Sequence, residues 1–596
     1  MQLRNVPFPP ALGLRCSVFV AKGTHPMLTT VTILRHLMIG VGGLILLATA
    51  SPLTAQPTTA MSTEAFLNTL GVNTHLDGNQ HWDTDPARVG RHMAYIGVRN
   101  QRDWPSSANE GASFLAVQSN WSPLGRLWTS IGEDSPTGQR NDLSYAESIY
   151  AAYGSNLVYV LGGPNEEDDD YPQGLGATLP DSALVQGQLY TWAHSQGRNV
   201  KVNQMDFGAG WTSDNNWQGD YNPSNTGIHQ NYTPGGADIA SAHTYISDSN
   251  QTELTVLNMM RANALLTTPG KPVAHTEAGI YKNAVAYSPE VAGAMTVVGA
   301  FDSAAAGDAG YLVYGLQDDD GTHTYGFYDS TDTNPNPMAT YYHNMTTILA
   351  STSGTYGPGQ PPTFTPGSLN VTYSNTTTAA HLLMQKPTGE YVVADWHEVL
   401  MNGTQANTTD TITFGQTFAT VQVYDVETGT TPIATLSNVS SYTLTLNPCD
   451  MYLLVLTPAA VTALIPDGTY TIGNRSNGNI ASMATANIGA GIIQGQPGSL
   501  GTTWTVTNLG NNVVKITNVG VGGVMGPVSV AVNSGLVAQT DTGVTSQQWT
   551  VTQPAPGWFT LTSKAGAFVA DIYSGLGTQL LLEPANGGAT QQWSFH

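Results

Sequence analysis

Glu166 and Glu277 are the residues whose type and setting point most directly to chemistry. Glu166 follows Asn165 where an apolar run ends, in VYVLGGPNEEDDDYP (residues 158–172), and Glu277 sits near the end of another, in VAHTEAG. Only 10% of the chain is charged, so acids at the ends of buried-looking strands are either solvated loop residues or a site. A protonated carboxyl can donate to a leaving oxygen while a second, ionised carboxylate attacks the carbon it leaves. A separation of about 5–5.5 Å suits direct attack with retention, and about 6.5–9.5 Å leaves room for a water and gives inversion. Asn165 can hydrogen-bond a substrate hydroxyl. Arg99, in GVRNQRDW, and Tyr245, in SAHTY, are candidates to hold the ionised partner, with the Tyr245 hydroxyl the best partner for Glu277; His243, two residues before it, is a candidate to bind substrate. The plain alternatives are a core histidine for His243 and a structural ion pair for Arg99. Trp104, Trp211 and Trp217 fall in loops and either stack on a ring or simply pack. The acidic runs at 167–170 and 318–320 read first as solvated faces and only second as a cation site. This chemistry needs no metal and no organic cofactor.

Such residues need a rigid frame. From residue 65 to about 350, short apolar strands alternate with helical patterns. The strands are LGVNTHL, YIGVRNQ, GRLWTSIG, LVYVLGG, VKVNQMDFG, DIASAHTYI, KPVAHTEAG and AGYLVYGLQ. Helix-like segments between them include RNDLSYAESIYAAYG, SALVQGQLYTWAHSQGR, TELTVLNMMRANALL and PEVAGAMTVVGAFDSAAAG. Eight strands with intervening helices fit a (β/α)₈ barrel, whose sites form at the carboxyl ends of the strands. An open doubly wound sheet is the alternative, but it would usually show a Gly-rich phosphate loop after its first strand. Beyond the Pro/Gly linker YGPGQPPTFTPG, period-two strands to about residue 458 predict an antiparallel β-sandwich. The last stretch repeats: GTTWTV, SQQWTV and TQQWSF centre on Trp504, Trp549 and Trp593, which predicts a three-fold β architecture.

Two resemblances follow from these motifs. Asn165-Glu166 after strand four, His243-x-Tyr245 on strand six and Glu277 on strand seven resemble the clan A retaining glycoside hydrolases, over roughly residues 65–458. That resemblance implies Glu166 as acid/base, Glu277 as nucleophile, Arg99 beside the nucleophile, and an oligosaccharide or polysaccharide substrate. Where those enzymes commonly carry a stacking Trp after strand eight, this chain has YGLQDDDG, with Tyr311, Tyr314 and Gln317 nearby. The Trp repeats resemble the Q-x-W motif of ricin-type β-trefoil lectins, although Thr502 replaces the Gln in the first unit. The resemblance implies a sugar site in the third unit, at Asp571, Tyr573 and Asn586. The expected organisation is therefore multidomain: a presequence at 1–55, a (β/α)₈ barrel at 62–355, an antiparallel β-sandwich at 360–460 and a β-trefoil at 466–596. A non-catalytic carbohydrate-binding protein and a transglycosylase are the other readings.

The remaining signals set the compartment and exclude partners. The net charge of −23 argues against nucleic acid and against anionic membrane surfaces. Arg35 and His36 precede LMIGVGGLILLATA, and small residues follow. This reads as a secretory signal cleaved after Ala50 or Ala55, with a membrane anchor as the alternative. The expected product is secreted or periplasmic and free of the membrane. Of the two cysteines, Cys16 lies in the presequence, which leaves Cys449 alone and rules out an internal disulfide after cleavage.

Overall fold

The computed structural model describes residues 57–596 except 77–84, 104–110, 130–142, 167–178, 196, 199, 207–235, 247–251, 281–287, 319–323, 330–333, 352–355, 361, 363, 399–405, 449, 460–462 and 574. The presequence, Trp104, Trp211, Trp217, the acidic run at 167–170 and Cys449 lie outside the described residues. Among those described, no helix is long and apolar enough to cross a membrane.

Eight parallel strands form one sheet: Leu70–Asn73, Asn100–Asp103, Arg126–Thr129, Val158–Gly162, Lys201–Asn203, Ala240–Ile246, Val273–Ile280 and Gly310–Val313. Numbered in that order, they lie side by side as 5-4-3-2-1-8-7-6. The two edges meet through a parallel bridge between Asn203 and Ile239, with Gln204 N donating to Ile239 O at 2.8 Å. The sheet is thus a barrel closed by a short seam. Trp128, Val160, Ile239, Ala274 and Leu312 fill its interior, and a second, larger apolar layer packs helices around it. All eight strands fall within or beside the apolar runs read from the sequence, with one informative displacement. Tyr95 and Ile96, read as the start of strand two, instead complete the helix Pro86–Ile96. Gly97 ends that helix in the left-handed conformation (φ 74°), where a Cβ would strike Thr346. Strand two then runs through Asn100, Gln101, Arg102 and Asp103, all buried.

The sandwich is built mainly from Ala379–Gln385, Tyr391–His397, Thr408–Asp425, Ala434–Leu446 and Met451–Pro458, paired antiparallel. The long strand Thr408–Asp425 changes partners at a register shift between Thr413 and Phe418, around Gly415 (φ 67°). Its first half pairs with Thr372–Tyr373 and its second with Met451–Pro458. The sandwich also takes in the start of the described chain. Thr58–Thr59 pairs with Ser368–Leu369, and Met61–Ser62 lies parallel to Ala379–Gln385. Barrel and sandwich share one apolar core, in which Phe301 of the helix Pro289–Ala305 faces Trp396.

The C-terminal region is a twelve-stranded sheet with a separate core. Trp504, Trp549 and Trp593 are buried in it, and their indole N–H groups donate to Ala481 O, Met525 O and Ala570 O at 3.0–3.1 Å. One contact, made three times, is the physical content of the sequence repeat.

Candidate active site

The chain leaving strand four cannot carry a side chain at Gly163, where a Cβ would overlap Gln186 and crowd Met205. Asn165 then pairs with Asp206, just past strand five, in a parallel bridge, and Glu166 N donates to Asp206 O at 2.9 Å. Glu166 has a left-handed backbone (φ 52°). In a non-glycine residue that conformation carries a cost of order 1–3 kcal/mol, and here the strand-five bonds hold it in place. Its carboxyl turns back over the barrel mouth. Glu277 arrives on strand seven, 4% exposed. His243 is its direct neighbour on strand six, after a register shift between Ala242 and His243 that re-aims the side chains.

The site closes around these groups. Glu166 Oε1 lies 2.5 Å from His243 Nδ1, and Glu277 Oε2 lies 3.6 Å from the same nitrogen. One oxygen of each glutamate and that imidazole all lie within 4.8 Å of one another. Tyr245 OH donates to Glu277 Oε2 at 2.5 Å. Arg102 supplies the other side: Nη1 donates to Glu277 Oε1 (2.7 Å) and Asn73 Oδ1 (2.8 Å), and Nη2 to Asn165 Oδ1 (2.5 Å) and Asp206 Oδ2 (2.9 Å). One guanidinium therefore ties together the ends of strands one, four, five and seven. Asp206, fully buried, also accepts from Ser241 and Thr276.

Burial would raise the pKa of Glu277, but the charges of His243 and Arg102 and the bonds from Tyr245 and Arg102 outweigh it and hold the carboxyl below its usual range. Burial would likewise push His243 down. The charges of Glu277 and Glu166, with the hydrogen bond to Glu166 and Asp206 3.8 Å from Nε2, win and raise it well above the ordinary histidine value. Asp206 is kept ionised by Arg102 and His243 despite its burial. The Tyr245 phenol is raised by burial and by Glu277, so it remains a donor.

Of the predicted site residues, Glu166, Glu277, Asn165, His243 and Tyr245 come together. Arg99 does not. It precedes strand two at the opposite end of the barrel, where it pairs with buried Glu64 (2.7 Å) and donates to Asn68 Oδ1 and Tyr356 O. The arginine on the carboxylate is Arg102, three residues on, because strand two starts later than its apolar prelude suggests. Arg102 and Asp206 are the residues the sequence reading missed. Their signal was charge within buried strand ends, in VRNQRDW and VKVNQMDFG. Tyr311 is buried and donates to Glu253, away from the mouth. Tyr314 stands at the mouth: its ring lies 6.1 Å from that of Tyr245 and 5.5 Å from that of His75, with Tyr325 closing the group. Gln317 donates to Asp329 O, and Asp318 accepts from Gly326 N, so both brace the loop after strand eight.

In the third repeat, Asp571 is 6% exposed and accepts from Gln591 Nε2 (2.9 Å), the Gln of the Q-x-W motif. Tyr573 is 76% exposed. Asn586 is exposed and its Oδ1 accepts from Gly588 N.

No protein-family model matches the chain, and no curated protein does. Among solved structures it is similar to a GH30 endoxylanase from Clostridium papyrosolvens C71, at 12% identity and a TM-score of 0.44, over 68% of this chain and 98% of that one. It is also similar to the designed three-fold symmetric protein ThreeFoil (21%, TM-score 0.21, 22% of this chain and 98% of that one). A third similarity is to the Rhizoctonia solani agglutinin (22%, TM-score 0.21, 23% and 98%). At these scores the likenesses carry no functional weight. The class is defined by the chain's own architecture: a multidomain protein whose parallel barrel gathers a carboxylate pair at the carboxyl ends of its strands.

Proposed function

We propose that this protein is a carbohydrate-active enzyme, a retaining glycoside hydrolase in which Glu277 attacks the anomeric carbon and Glu166 serves as acid and then base. The observation that carries the reading is the pair itself. One oxygen of Glu166 and one of Glu277 lie within 4.8 Å across the barrel mouth, short of the spacing that leaves room for an intervening water. Glu277 is the group built to stay ionised: Arg102, Tyr245 and His243 all stabilise its negative charge. Glu166 is the more exposed of the two and shares a short hydrogen bond with His243, so the proton that the leaving oxygen needs has a source beside it. Asn165, oriented by Arg102, would bind the substrate hydroxyl next to the reacting carbon. Tyr314 and Tyr245 provide ring surface at the mouth in place of a Trp.

The proposed substrate is an oligosaccharide or polysaccharide. The trefoil would add one sugar site at Asp571, Tyr573 and Asn586, where Tyr573 offers an open ring face. Export through the apolar segment at 37–50 belongs to the same proposal.

The test is nucleophile replacement. Glu277→Gln is expected to lower kcat by roughly 10⁴-fold or more, the order seen when a covalent nucleophile is removed. Azide should restore turnover to Glu277→Ala on an aryl glycoside, with the product's anomeric configuration inverted. Near-normal activity of a folded Glu277→Gln protein would overturn the assignment.

A further inference from the structure

We infer that the sandwich holds a divalent transition-metal site of its own, made by His381, Asp395 and Asp410, for which zinc fits the donor set. His381 and Asp395 are directly opposed on neighbouring strands, and Asp410 comes from the first half of the bent strand Thr408–Asp425. All three lie on the face that carries Leu383, Val393, Ile412 and Phe414 into the sandwich core. His381 Nε2 is 2.7 Å from Asp410 Oδ2 and 3.6 Å from Asp395 Oδ1. One donor atom from each residue falls within a 4.8 Å cluster.

Two further observations separate this cluster from an ordinary buried hydrogen-bond network. Asp395 is fully buried, yet neither carboxylate oxygen has a hydrogen-bond partner. An acid in that state is costly unless something binds it. The other two ligands are held in position from outside the cluster. Ser374 Oγ and Asn375 N donate to Asp410 Oδ1, which leaves Oδ2 facing His381, and Tyr373 stacks on the imidazole at 3.7 Å. Burial keeps His381 below its ordinary value and Asp395 up at about 8. Bond lengths near 2.0–2.2 Å fit inside the triangle after shifts of about 1 Å or less. One imidazole among two carboxylates favours zinc over calcium, which seeks six to eight oxygens.

The barrel mouth also sets an imidazole between two carboxylates, so the test must separate the sites. The full chain is stripped with EDTA and reloaded with Zn²⁺, and bound zinc per chain and Tm are measured for the wild type and Asp395→Asn. The wild type should retain one more zinc than Asp395→Asn and gain Tm on loading, while the variant, still folded, gains none at this site. Calcium should do neither. Equal zinc content and equal Tm gain in the two proteins would overturn the site, as would failure of the wild type to bind zinc. Should Asp395→Asn not fold, X-ray absorption of the zinc-loaded double variant Glu166→Gln/Glu277→Gln, which removes both carboxylates of the barrel group, decides. One nitrogen and two carboxylate oxygens at about 2.0–2.2 Å support the site, and a purely aqueous shell overturns it.

Discussion

The residue that organises the barrel mouth is Arg102, whose four bonds join Glu277, Asp206, Asn165 and Asn73. Its partners are buried, so removing it leaves Glu277 and Asp206 with the His243 charge and neutral donors alone to offset them. Arg102→Met is expected to cost about 3–5 kcal/mol of stability and to abolish activity. Arg102→Lys keeps the charge but loses the planar fork and should lower kcat/KM while retaining more of the Tm. Arg99→Met should destabilise through its broken pair with Glu64 and leave the kcat of the folded fraction intact. Parallel Tm and kcat measurements distinguish the two arginines, and a kcat loss in the Arg99 variant matching that of Arg102 would contradict the geometry. His243 gives a second residue-scale test. Its raised value depends chiefly on the charge of Glu277 working against burial, so Glu277→Gln should lower the imidazole pKa, as read by NMR titration. A raised folded value stabilises the protein fully below the unfolded value of about 6.5 and is lost as pH rises through the folded value. In Glu277→Gln that loss should be complete at lower pH.

At the scale of elements, the same linkage runs the other way in the sandwich. Asp395 titrates at about 8 in the folded chain and near 4 unfolded. Its protonated form is the folded one, so this residue erodes stability as pH rises from about 4 to 8. Asp395→Asn should flatten that part of the metal-free stability–pH curve, as measured by urea unfolding at several pH values. An unchanged slope would mean that Asp395 is ionised when buried. Elements also explain what could be read from the chain alone. The strands carrying Glu166, His243, Tyr245 and Glu277 announce themselves because each is an apolar run that ends in polar chemistry. Strand two hides, since its buried residues are Asn100, Gln101, Arg102 and Asp103, and the apolar stretch before it belongs to a helix end. The sandwich triad hides for another reason. His381, Asp395 and Asp410 sit on three strands with no local spacing to link them, and only the fold brings them together.

At the scale of the molecule, the boundaries are unequal. Barrel and sandwich share an apolar core, with Trp396 against Phe301, and the residues before the barrel, Thr58–Thr59 and Met61–Ser62, are strands on the sandwich side. The sandwich is therefore part of the barrel's packing and not a passenger. A chain ending at 355 would expose Phe301 and leave Thr58–Thr59 and Met61–Ser62 without their strand partners. It should be recovered insoluble or with exposed apolar surface that binds dye. The twelve-stranded C-terminal region has its own core, three buried tryptophans and a repeated indole bond in each unit. Removing residues 466–596 should leave Tm and kcat on a small aryl glycoside near the full-length values, because the proposed chemistry belongs to the barrel. Binding to an insoluble polysaccharide should weaken, because the proposed second site, tethered to the first, would raise the effective concentration of substrate there. Asp571→Ala, in the full chain, should reproduce that binding loss with kcat unchanged. Equal pull-down of the truncated and complete chains on every polysaccharide tried would make the trefoil a structural appendage, and loss of aryl glycoside turnover on truncation would place it within the catalytic fold.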